Sequence, residues 1–303
     1  MRETGLNPDV VARLVLDDGM SLNSSNGRTN VLLLGIGGGN HDGADLTDTM
    51  MIFSLETQNR SVALISIPRD IWSDTLKDKV NSAYHYGELK KKGGGLLLAK
   101  VVAEDVAGMP IQYAFLIDFS GFKKVIDLLG GVDVKVSRAF TDNEYPIPGK
   151  EHDSCPGDPT NRCVYETIHF DAGKQHMDGE RALEYVRSRH AEGAEGSDFA
   201  RSRRQQDVII ALKEKIVNPS TWLSAERISA LPKVFDEATD TDMNMGEIAT
   251  IGKWFMRAKE SAVKKIALET LLEQPPEYLY GGRFVLVPKE TWDAVHSYIA
   301  SQL

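Results

Sequence analysis

The sequence predicts an α/β protein with a mainly parallel or mixed sheet that helices cover on both faces. Its composition is that of a packed globular protein, since 42% of its 303 residues are hydrophobic and 26% are charged. That composition excludes a disordered or fibrous chain. Continuous apolar runs of strand length alternate with segments of helical spacing, and this alternation is typical of sheets buried on both faces.

The elements follow from these patterns in chain order. The first half of the chain contains five predicted strands and two predicted helices: strands at 30–36, 49–54, 61–67, 112–117 and 132–136, and helices at 96–106 and 120–129. Gly108-Met109-Pro110 ends the first helix and Gly130-Gly131 ends the second. The stretch 139–171, with four prolines and both cysteines, is predicted to be an irregular excursion or lid.

The second half is predicted to be mostly helical. Its predicted elements are helices at 178–186 and 199–217, a helical stretch after about 221, a helix at 245–259, a strand at 283–287 and a helix at 290–299. The role of this tail is not legible from its sequence.

The net charge excludes one class of partner. Lys and Arg number 35 against 44 Asp and Glu, a net charge of −9, and duplex nucleic acid is bound by basic surfaces. The balance inverts locally, because six arginines fall within 24 residues: Arg181, Arg187, Arg189, Arg201, Arg203 and Arg204.

The helix at 199–217 is predicted to carry arginines on its core side. Val208, Leu212 and Ile216 form an apolar stripe that, projected back by one and two turns, passes through Arg201, Arg204 and Gln205. Arg203 lies on the opposite face. A buried guanidinium stays charged and needs an anion. Two interpretations remain open: Asp or Glu residues of the fold supply that anion, or a phosphate ligand does.

Arg187 and Arg189 favour the phosphate ligand. Two residues apart, they diverge on a regular helix, so both reach one site only if the helix ends near Arg187. The following HAEGAEGSD, with two glycines and a Ser/Asp cap for the next helix, favours that ending. Four or five converging arginines match a diphosphate better than a single carboxylate.

Ionisable residues also adjoin two neighbouring strands. Asp48 precedes the strand at 49–54, and Arg69-Asp70 closes the strand at 61–67. Asp48 is either a ligand for Mg²⁺, which prefers carboxylates together with phosphate oxygens, or an ordinary turn residue. The GIGGG run fits neither the dinucleotide fingerprint nor a P-loop.

The two cysteines leave two alternatives. Cys155 and Cys163 are either free thiols in a loop or a local disulfide, and a disulfide would place the protein outside the cytosol. Two thiols alone do not make a four-ligand zinc site.

An ordered set of motifs resembles the LytR-CpsA-Psr (LCP) family of bacterial cell-wall glycopolymer transferases. The resemblance covers residues 30 to about 217 and rests on seven segments: NVLLLGIGG, LTDTMMIFSL, VALISIPRD, KVNSAYHYG, IDFSGFKKVIDLLGGVDV, FDAGKQHMDGERALEYVRSRH and SDFARSRRQQ.

The resemblance implies a three-layer α/β/α sandwich with a mixed central sheet. It implies a phosphotransferase that moves a phosphoglycosyl unit from a polyprenyl diphosphate-linked glycopolymer to a sugar hydroxyl of peptidoglycan. Mg²⁺ would assist, and Mn²⁺ could replace it. Two alternatives are a polyprenyl-phosphate binding module without turnover and a polyprenyl diphosphate hydrolase.

The resemblance also assigns residues by motif. Asp48 is similar to the family's metal ligand, and Asp70 either orients Arg69, acts as a base or serves as a structural ion-pair partner. The implied diphosphate ligands are Arg69, Arg187, Arg189, Arg201, Arg204 and Gln205. Ile36 and Leu46 stand where many members carry an Asp and an Arg. The nearby His41, Asp42 and Asp45 are candidates for a replacement metal ligand, and of these we select Asp42.

The resemblance finally implies a domain plan and a location. We expect a remnant or linker at 1–28 after a missing membrane anchor, a catalytic domain at 29–220 and an α/β extension at 221–303 packed on it. No apolar run approaches the ~20 residues that span a bilayer, so we expect the soluble part of a protein anchored at the outer face of the plasma membrane, in the cell envelope.

Overall fold

A computed structural model describes residues 21–39, 43–58, 61–147, 149–150, 153–158, 160, 162–222, 225–258 and 263–303. The chain divides into two compact units, Met1–Gly121 with Ile228–Leu303 and Phe122–Arg227. We call them unit 1 and unit 2.

The strands and helices are numbered in chain order. The strands are β1 (Arg28–Ile36), β2 (Thr47–Glu56), β3 (Val62–Ser66), β4 (Trp72–Ser73), β5 (Asp78–Lys79), β6 (Tyr113–Asp118), β7 (Val132–Val136), β8 (Phe140–Pro146), β9 (Tyr165–Phe170), β10 (Gly173–Met177), β11 (Thr239–Thr241), β12 (Val263–Ile266), β13 (Leu272–Glu273) and β14 (Val287–Pro288). The helices are α1 (Ala83–Lys90), α2 (Gly95–Ala107), α3 (Phe119–Leu128), α4 (Gly179–Arg187), α5 (Asp198–Val217), α6 (Ala225–Ala238), α7 (Met245–Arg257) and α8 (Trp292–Gln302).

Unit 1 is built on a six-stranded mixed sheet in the order β11-β6-β1-β2-β3-β12. The pairs β1–β6 and β3–β12 are parallel, and the other three pairs are antiparallel. The predicted α/β class with a mixed central sheet is therefore confirmed. The two edge strands, β11 and β12, come from the tail whose role the sequence left open, and each is too short to stand out in the sequence.

Both faces of this sheet are covered. The six residues Met50–Leu55 of β2 are all buried, and so are the five residues of β3. Phe53 and Phe115 lie on one face, where their rings meet Phe255 of α7 at 5.0 Å and Phe235 of α6 at 5.5 Å. Burial of consecutive residues requires apolar neighbours on both sides, which explains the unbroken apolar runs in these strands.

Helix α2 packs against β6 of the same sheet. It ends at Gly108, whose φ of 66° is left-handed and whose N–H bonds to Glu104 O. The predicted glycine stop is confirmed. Within the described residues, no helix is both long and apolar enough to cross a lipid bilayer.

Two of the predicted elements were wrong. The stretch 139–171 is not irregular throughout, because β8 and β9 pair within it as antiparallel strands. The pairing brings together Phe140 and Phe170, two buried rings that stack at 5.1 Å although 30 positions separate them in the chain. The strand predicted at 283–287 reduces to the short β14, which pairs with β13.

The disulfide alternative is confirmed for the two cysteines. Cys155 and Cys163 are bonded, with their Cα atoms 5.7 Å apart. The carboxylate of Asp158 braces the loop that they close, since it accepts bonds from the backbone N–H of Thr160 at 2.9 Å and of Arg162 at 2.8 Å.

Replacing both cysteines by serine is expected to lower the free energy of unfolding by about 2–3 kcal/mol, because the bridge restricts the unfolded chain. Urea denaturation of the wild type and the double variant, with and without dithiothreitol, measures this difference. The reductant should shift the wild-type midpoint to that of the variant and leave the variant unchanged. Equal midpoints for the oxidised wild type and the variant would contradict the prediction.

Candidate active site

The side chains of Asp48 and Arg69 are in contact in unit 1. The sequence had placed them next to neighbouring strands. Asp48 is the second residue of β2, and Arg69 lies just beyond the end of the adjacent β3. The Arg69 Nη1 group donates a hydrogen bond to Asp48 Oδ1. The Asp48 side chain keeps 37% of its surface exposed, so it can still accept a ligand from solvent.

Asp70 continues this cluster toward Lys79. Its buried carboxylate lies 3.5 Å from Arg69 Nε through Oδ2 and 2.5 Å from Lys79 Nζ through Oδ1. Both carboxylate oxygens of Asp70 are engaged by cations, so the contacts favour Asp70 as an orienting partner of Arg69. Four side chains form what we call the ionic cluster: Asp48, Arg69, Asp70 and Lys79. Their formal charges sum to zero.

A second pair lies next to the position where many family members carry an arginine. Asp45 Oδ2 is 2.7 Å from Nδ1 of His85, a residue of α1. Asp42, the predicted replacement ligand, lies outside the described residues. Within the described part of the chain, no three His, Cys, Asp or Glu side chains form a metal-binding group. Asp48 is a single carboxylate, and a single carboxylate can serve as the protein ligand of Mg²⁺ where phosphate oxygens and water complete the shell. That Asp48 binds a metal ion stays a prediction.

The arginine turn of unit 2, which we define as residues 187–190, lies where α4 ends. The helix stops at Arg187, and Ser188 is extended at φ −51° and ψ 133°. The predicted ending near Arg187 is confirmed. Arg187 is half-buried and Arg189 is exposed on the far side of the buried Ser188, so the break in the helix frees the two guanidinium groups from a helical spacing.

Asp142 of β8 holds this turn, and sequence reasoning missed it. Its Oδ2 accepts bonds from Ser188 Oγ at 2.7 Å, Arg189 N at 3.0 Å and His190 N at 3.1 Å. Burial opposes ionisation of this carboxyl, but the hydrogen bonds from Ser188 and from the backbone outweigh it and lower the pKa of Asp142. No local signal identified it, because the partners lie 46 to 48 positions away.

Tyr145 of the same strand contacts Arg187. The guanidinium of Arg187 lies 5.4 Å from the Tyr145 ring centroid, and its Nη1 donates to the Tyr145 hydroxyl at 3.3 Å. Burial is the main reason that the pKa of Tyr145 is raised to about 12. The neutral phenol therefore supports Arg187 over the physiological pH range without neutralising its charge.

Helix α5 begins as predicted, because the Ser197 side chain accepts from Ala200 N as its N-cap. Arg201 and Arg204 are both buried on this helix, Arg203 is exposed and Gln205 is half-buried. The predicted burial is confirmed for the two arginines. The apolar stripe is less deep than predicted, since Leu212 and Ile216 are only half-buried.

Arg201 and Arg204 have carboxylate partners. Arg201 Nη2 lies 2.9 Å from Asp198 Oδ1, one turn earlier on α5. Arg204 bonds to Tyr185 O at 2.9 Å, to Glu195 O at 3.0 Å and to Ser188 O, and its Nη1 is 3.2 Å from Glu195 Oε2. Desolvation by burial lowers the pKa of Arg204. These contacts tie α5 to the end of α4, so Arg204 supports the arginine turn in addition to any ligand role.

The structure thus groups the predicted residues into two sets. Asp48, Arg69 and Asp70 are in contact in unit 1. In unit 2, Ser188 carries Arg187 and Arg189 on either side and accepts a bond from Arg204, while Arg201 and Gln205 belong to the same helix as Arg204. That all these side chains serve one diphosphate stays a prediction.

Comparison with known proteins agrees with these motifs. A family model described as LytR_cpsA_psr family matches residues 11–296, which includes the tail beyond the recognisable motifs. The chain is 30% identical over 190 residues to TagU, a polyisoprenyl-teichoic acid–peptidoglycan teichoic acid transferase of Bacillus mycoides (strain KBAB4), covering 61% of the chain and 52% of that protein. It is 30% identical over 200 residues to TagV of Bacillus subtilis (strain 168), covering 64% of the chain and 43% of that protein. The chain spans about half the length of these curated relatives.

Solved structures show the same fold. The crystal structure of B. subtilis TagV superposes with a TM-score of 0.64 at 22% identity, covering 92% of this chain and 98% of that chain. The structure of TagT bound to LI-WTA gives a TM-score of 0.62 at 21% identity, covering 94% of each chain. The motifs, the sheet and the extent of the family match lead to one conclusion: this chain belongs to the LytR_cpsA_psr family.

Proposed function

We propose that the chain is a phosphotransferase that moves a phosphoglycosyl unit from a polyprenyl diphosphate-linked glycopolymer to a sugar hydroxyl of peptidoglycan. The observation that carries the proposal is the group of arginines in unit 2. Arg201 is buried on α5, and the arginine turn places Arg187 and Arg189 on either side of Ser188. TagU and TagV are named as transferases that join teichoic acid to peptidoglycan, and their similarity to this chain supports the same reaction class.

Arginine suits a diphosphate for a geometric reason. Its planar fork donates two parallel N–H groups to phosphate oxygens and stays charged when buried. In unit 1, Arg69 is a further candidate phosphate ligand, and Asp70 would orient its guanidinium. Charge-assisted bonds that strengthen as negative charge develops on the phosphate oxygens stabilise the transition state more than the bound donor.

The zero net charge of the ionic cluster supports a role for a divalent cation. Two carboxylates and two cations leave it neutral, and a diphosphate brings further negative charge. Asp48 would hold Mg²⁺ or Mn²⁺, which supplies positive charge to the phosphate oxygens when bound. Release of Arg69 from its bond to Asp48 would then free that guanidinium for the donor.

The reaction balances without a further reactant. The oxygen of the acceptor hydroxyl attacks the phosphorus that carries the glycopolymer, and the bond from this phosphorus to the bridging oxygen breaks. Polyprenyl phosphate leaves with the bonding electron pair, and the proton released by the hydroxyl balances its charge. The diphosphate linkage supplies the driving force, so no nucleotide is consumed.

Replacement of Asp48 by asparagine tests the metal and the chemistry together. The amide keeps the size of the side chain but loses the charge that binds the cation, so we expect about 10²-fold slower release of polyprenyl phosphate at a fixed Mg²⁺ concentration. The rate is measured with a lipid-linked donor and a peptidoglycan fragment over a range of Mg²⁺ and Mn²⁺ concentrations.

Asp171→Asn is the matched control, because the Asp171 side chain is 87% exposed in unit 2 and should leave the rate unchanged. An Asp48→Asn variant with the metal dependence of the wild type would contradict the metal assignment. Donor binding without release of polyprenyl phosphate would identify a binding module. Release at the same rate with and without the peptidoglycan fragment would identify a hydrolase.

The proposal includes a location outside the cytosol, at the outer face of the plasma membrane through an anchor. The Cys155–Cys163 disulfide supports this placement, because such bonds persist in oxidising compartments. The location also gives access to both a polyprenyl-linked donor and peptidoglycan.

A further inference from the structure

A group of aromatic rings in unit 1, of which Tyr86 and Phe284 are exposed and Trp72 and Tyr280 are half-buried, has no part in the function proposed so far. We call it the aromatic patch and define it by Trp72, Tyr86, Tyr280 and Phe284. The Trp72 and Tyr280 rings lie edge to face with their centroids 5.0 Å apart. Phe284 is 40% exposed and Tyr86 is 38% exposed, so the patch offers ring surface to a ligand.

Backbone hydrogen bonds connect the patch to the ionic cluster. Trp72 N donates to Leu286 O at 2.9 Å, and Leu286 N donates to Asp70 O at 2.9 Å. This pairing brings the tail segment that carries Tyr280 and Phe284 against the chain that directly follows Arg69.

One side chain bridges the cluster and the patch. Lys79 Nζ lies 2.5 Å from Asp70 Oδ1 and 5.8 Å from the centroid of the Phe284 ring. The aromatic patch therefore begins one residue away from the carboxylate that orients Arg69.

Polar groups surround the rings and hold each other in place. The Arg283 guanidinium lies 5.0 Å from the Trp72 ring centroid, and its Nη1 is 2.7 Å from Asp78 Oδ1. The Tyr86 hydroxyl donates to Asp78 Oδ2 at 2.6 Å. Flat apolar faces bordered by hydrogen-bonding groups match a pyranose ring, which has an apolar C–H face and a rim of hydroxyl and amide groups.

The charge around the patch favours a near-neutral saccharide over a polyanion. Three cations and three anions lie in residues 72–79 and 277–284: Lys77, Lys79 and Arg283, and Asp74, Asp78 and Glu277. Helix α1, which carries Tyr86, adds one charge of each sign, Glu88 and Lys90. A glycopolymer with a phosphate in every repeat would gain nothing from a balanced surface. The amide-bearing sugars of a glycan strand require only ring contact and hydrogen bonds.

We propose that the aromatic patch is the docking subsite for the acceptor glycan, which it holds so that a sugar hydroxyl reaches the phosphorus bound at Arg69. This inference rests on the proposed function and deepens it by assigning the acceptor to Trp72, Tyr280, Arg283 and Phe284. It also gives the tail a role, because Tyr280, Arg283 and Phe284 all come from it.

A direct binding measurement tests the subsite. The probe is a tetrasaccharide of β-1,4-linked N-acetylglucosamine, and its dissociation constant is measured by calorimetry with the full chain. Tyr280→Ala and Phe284→Ala should each weaken binding about tenfold, whereas Phe284→Tyr, which retains a ring, should bind as the wild type does.

Two matched controls accompany these variants. Leu279→Ala removes an exposed apolar side chain from the same segment, and Tyr165→Ala removes an exposed tyrosine from unit 2. Both should bind the tetrasaccharide with wild-type affinity. Equal melting temperatures show that the patch variants are folded, and the Phe284→Tyr result separates loss of ring contact from local disruption.

The result separates this inference from the proposed function. Unchanged tetrasaccharide affinity in both patch variants would overturn the subsite, even if the wild type catalyses transfer. A loss of affinity for a glycerol-phosphate oligomer, with none for the tetrasaccharide, would assign the patch to the donor polymer and also overturn the inference. Binding of the lipid-linked donor should be the same in wild type and variants, and failure of the wild type to use that donor would overturn the proposed function alone.

Discussion

Replacing Arg201 by alanine is expected to lower kcat/KM for glycopolymer transfer by about 10²-fold or more. The Arg201 side chain is only 7% exposed, so its charge acts in a medium where electrostatic interactions are stronger than in water. Asp198 neutralises part of that charge and fixes the guanidinium on the first turn of α5. Steady-state rates with a lipid-linked donor measure the loss.

Arg203→Ala is the matched control, because it removes the same group from the exposed face of the same helix. It should change kcat/KM by less than about twofold, as expected for a surface substitution. Arg201→Lys should fall between the two, since lysine retains the charge but lacks the bidentate fork. Equal rates for the Arg201→Ala and Arg203→Ala variants would remove Arg201 from the donor site.

Replacing Asp142 by alanine is expected to destabilise the fold by about 3 kcal/mol or more. The carboxylate satisfies the buried Ser188 hydroxyl and the N–H groups of Arg189 and His190, and its loss leaves them without that acceptor. The turn that presents Arg187 and Arg189 would then loosen. Urea denaturation measures the change, with Asp171→Ala as the exposed control.

The pH dependence of this difference has a definite sign. The folded protein holds the pKa of Asp142 below its ordinary value, so the carboxylate stabilises the fold fully above about pH 4, where the unfolded residue is ionised. That stabilisation is lost as the pH falls from about 4 through the lower pKa of the folded state. The gap in unfolding free energy between wild type and Asp142→Ala should therefore narrow below pH 4. A gap that stays constant would show that the charge of Asp142 does not stabilise the turn.

Local sequence patterns predicted most of the elements that carry the candidate site. Hydrophobic spacing placed Asp48 and Arg69 near the ends of neighbouring strands. Capping residues within a few positions predicted that α4 ends near Arg187 and that Ser197 caps α5. The burial of Arg201 and Arg204 followed from helical projection alone. Each of these features depends on neighbours in the chain, which the sequence displays directly.

Features that depend on distant partners were not predicted. Asp142 and the arginine turn are more than 40 positions apart, and β8 pairs with β9 across the loop that the disulfide closes. The role of the tail was not predicted, because its partners are distant in the chain: β11 pairs with β6, β12 pairs with β3, and Leu286 bonds to the backbone of Asp70 and Trp72.

The sequence alone determined the family, the α/β class, the helix ends and the residue types available for a diphosphate. The tertiary structure alone decided which carboxylate braces the arginine turn, which cations neutralise Asp70 and what the tail contacts. The physical reason is that helix spacing and capping are local interactions, whereas a buried charge or an edge strand takes its partner from whatever part of the chain packing brings near.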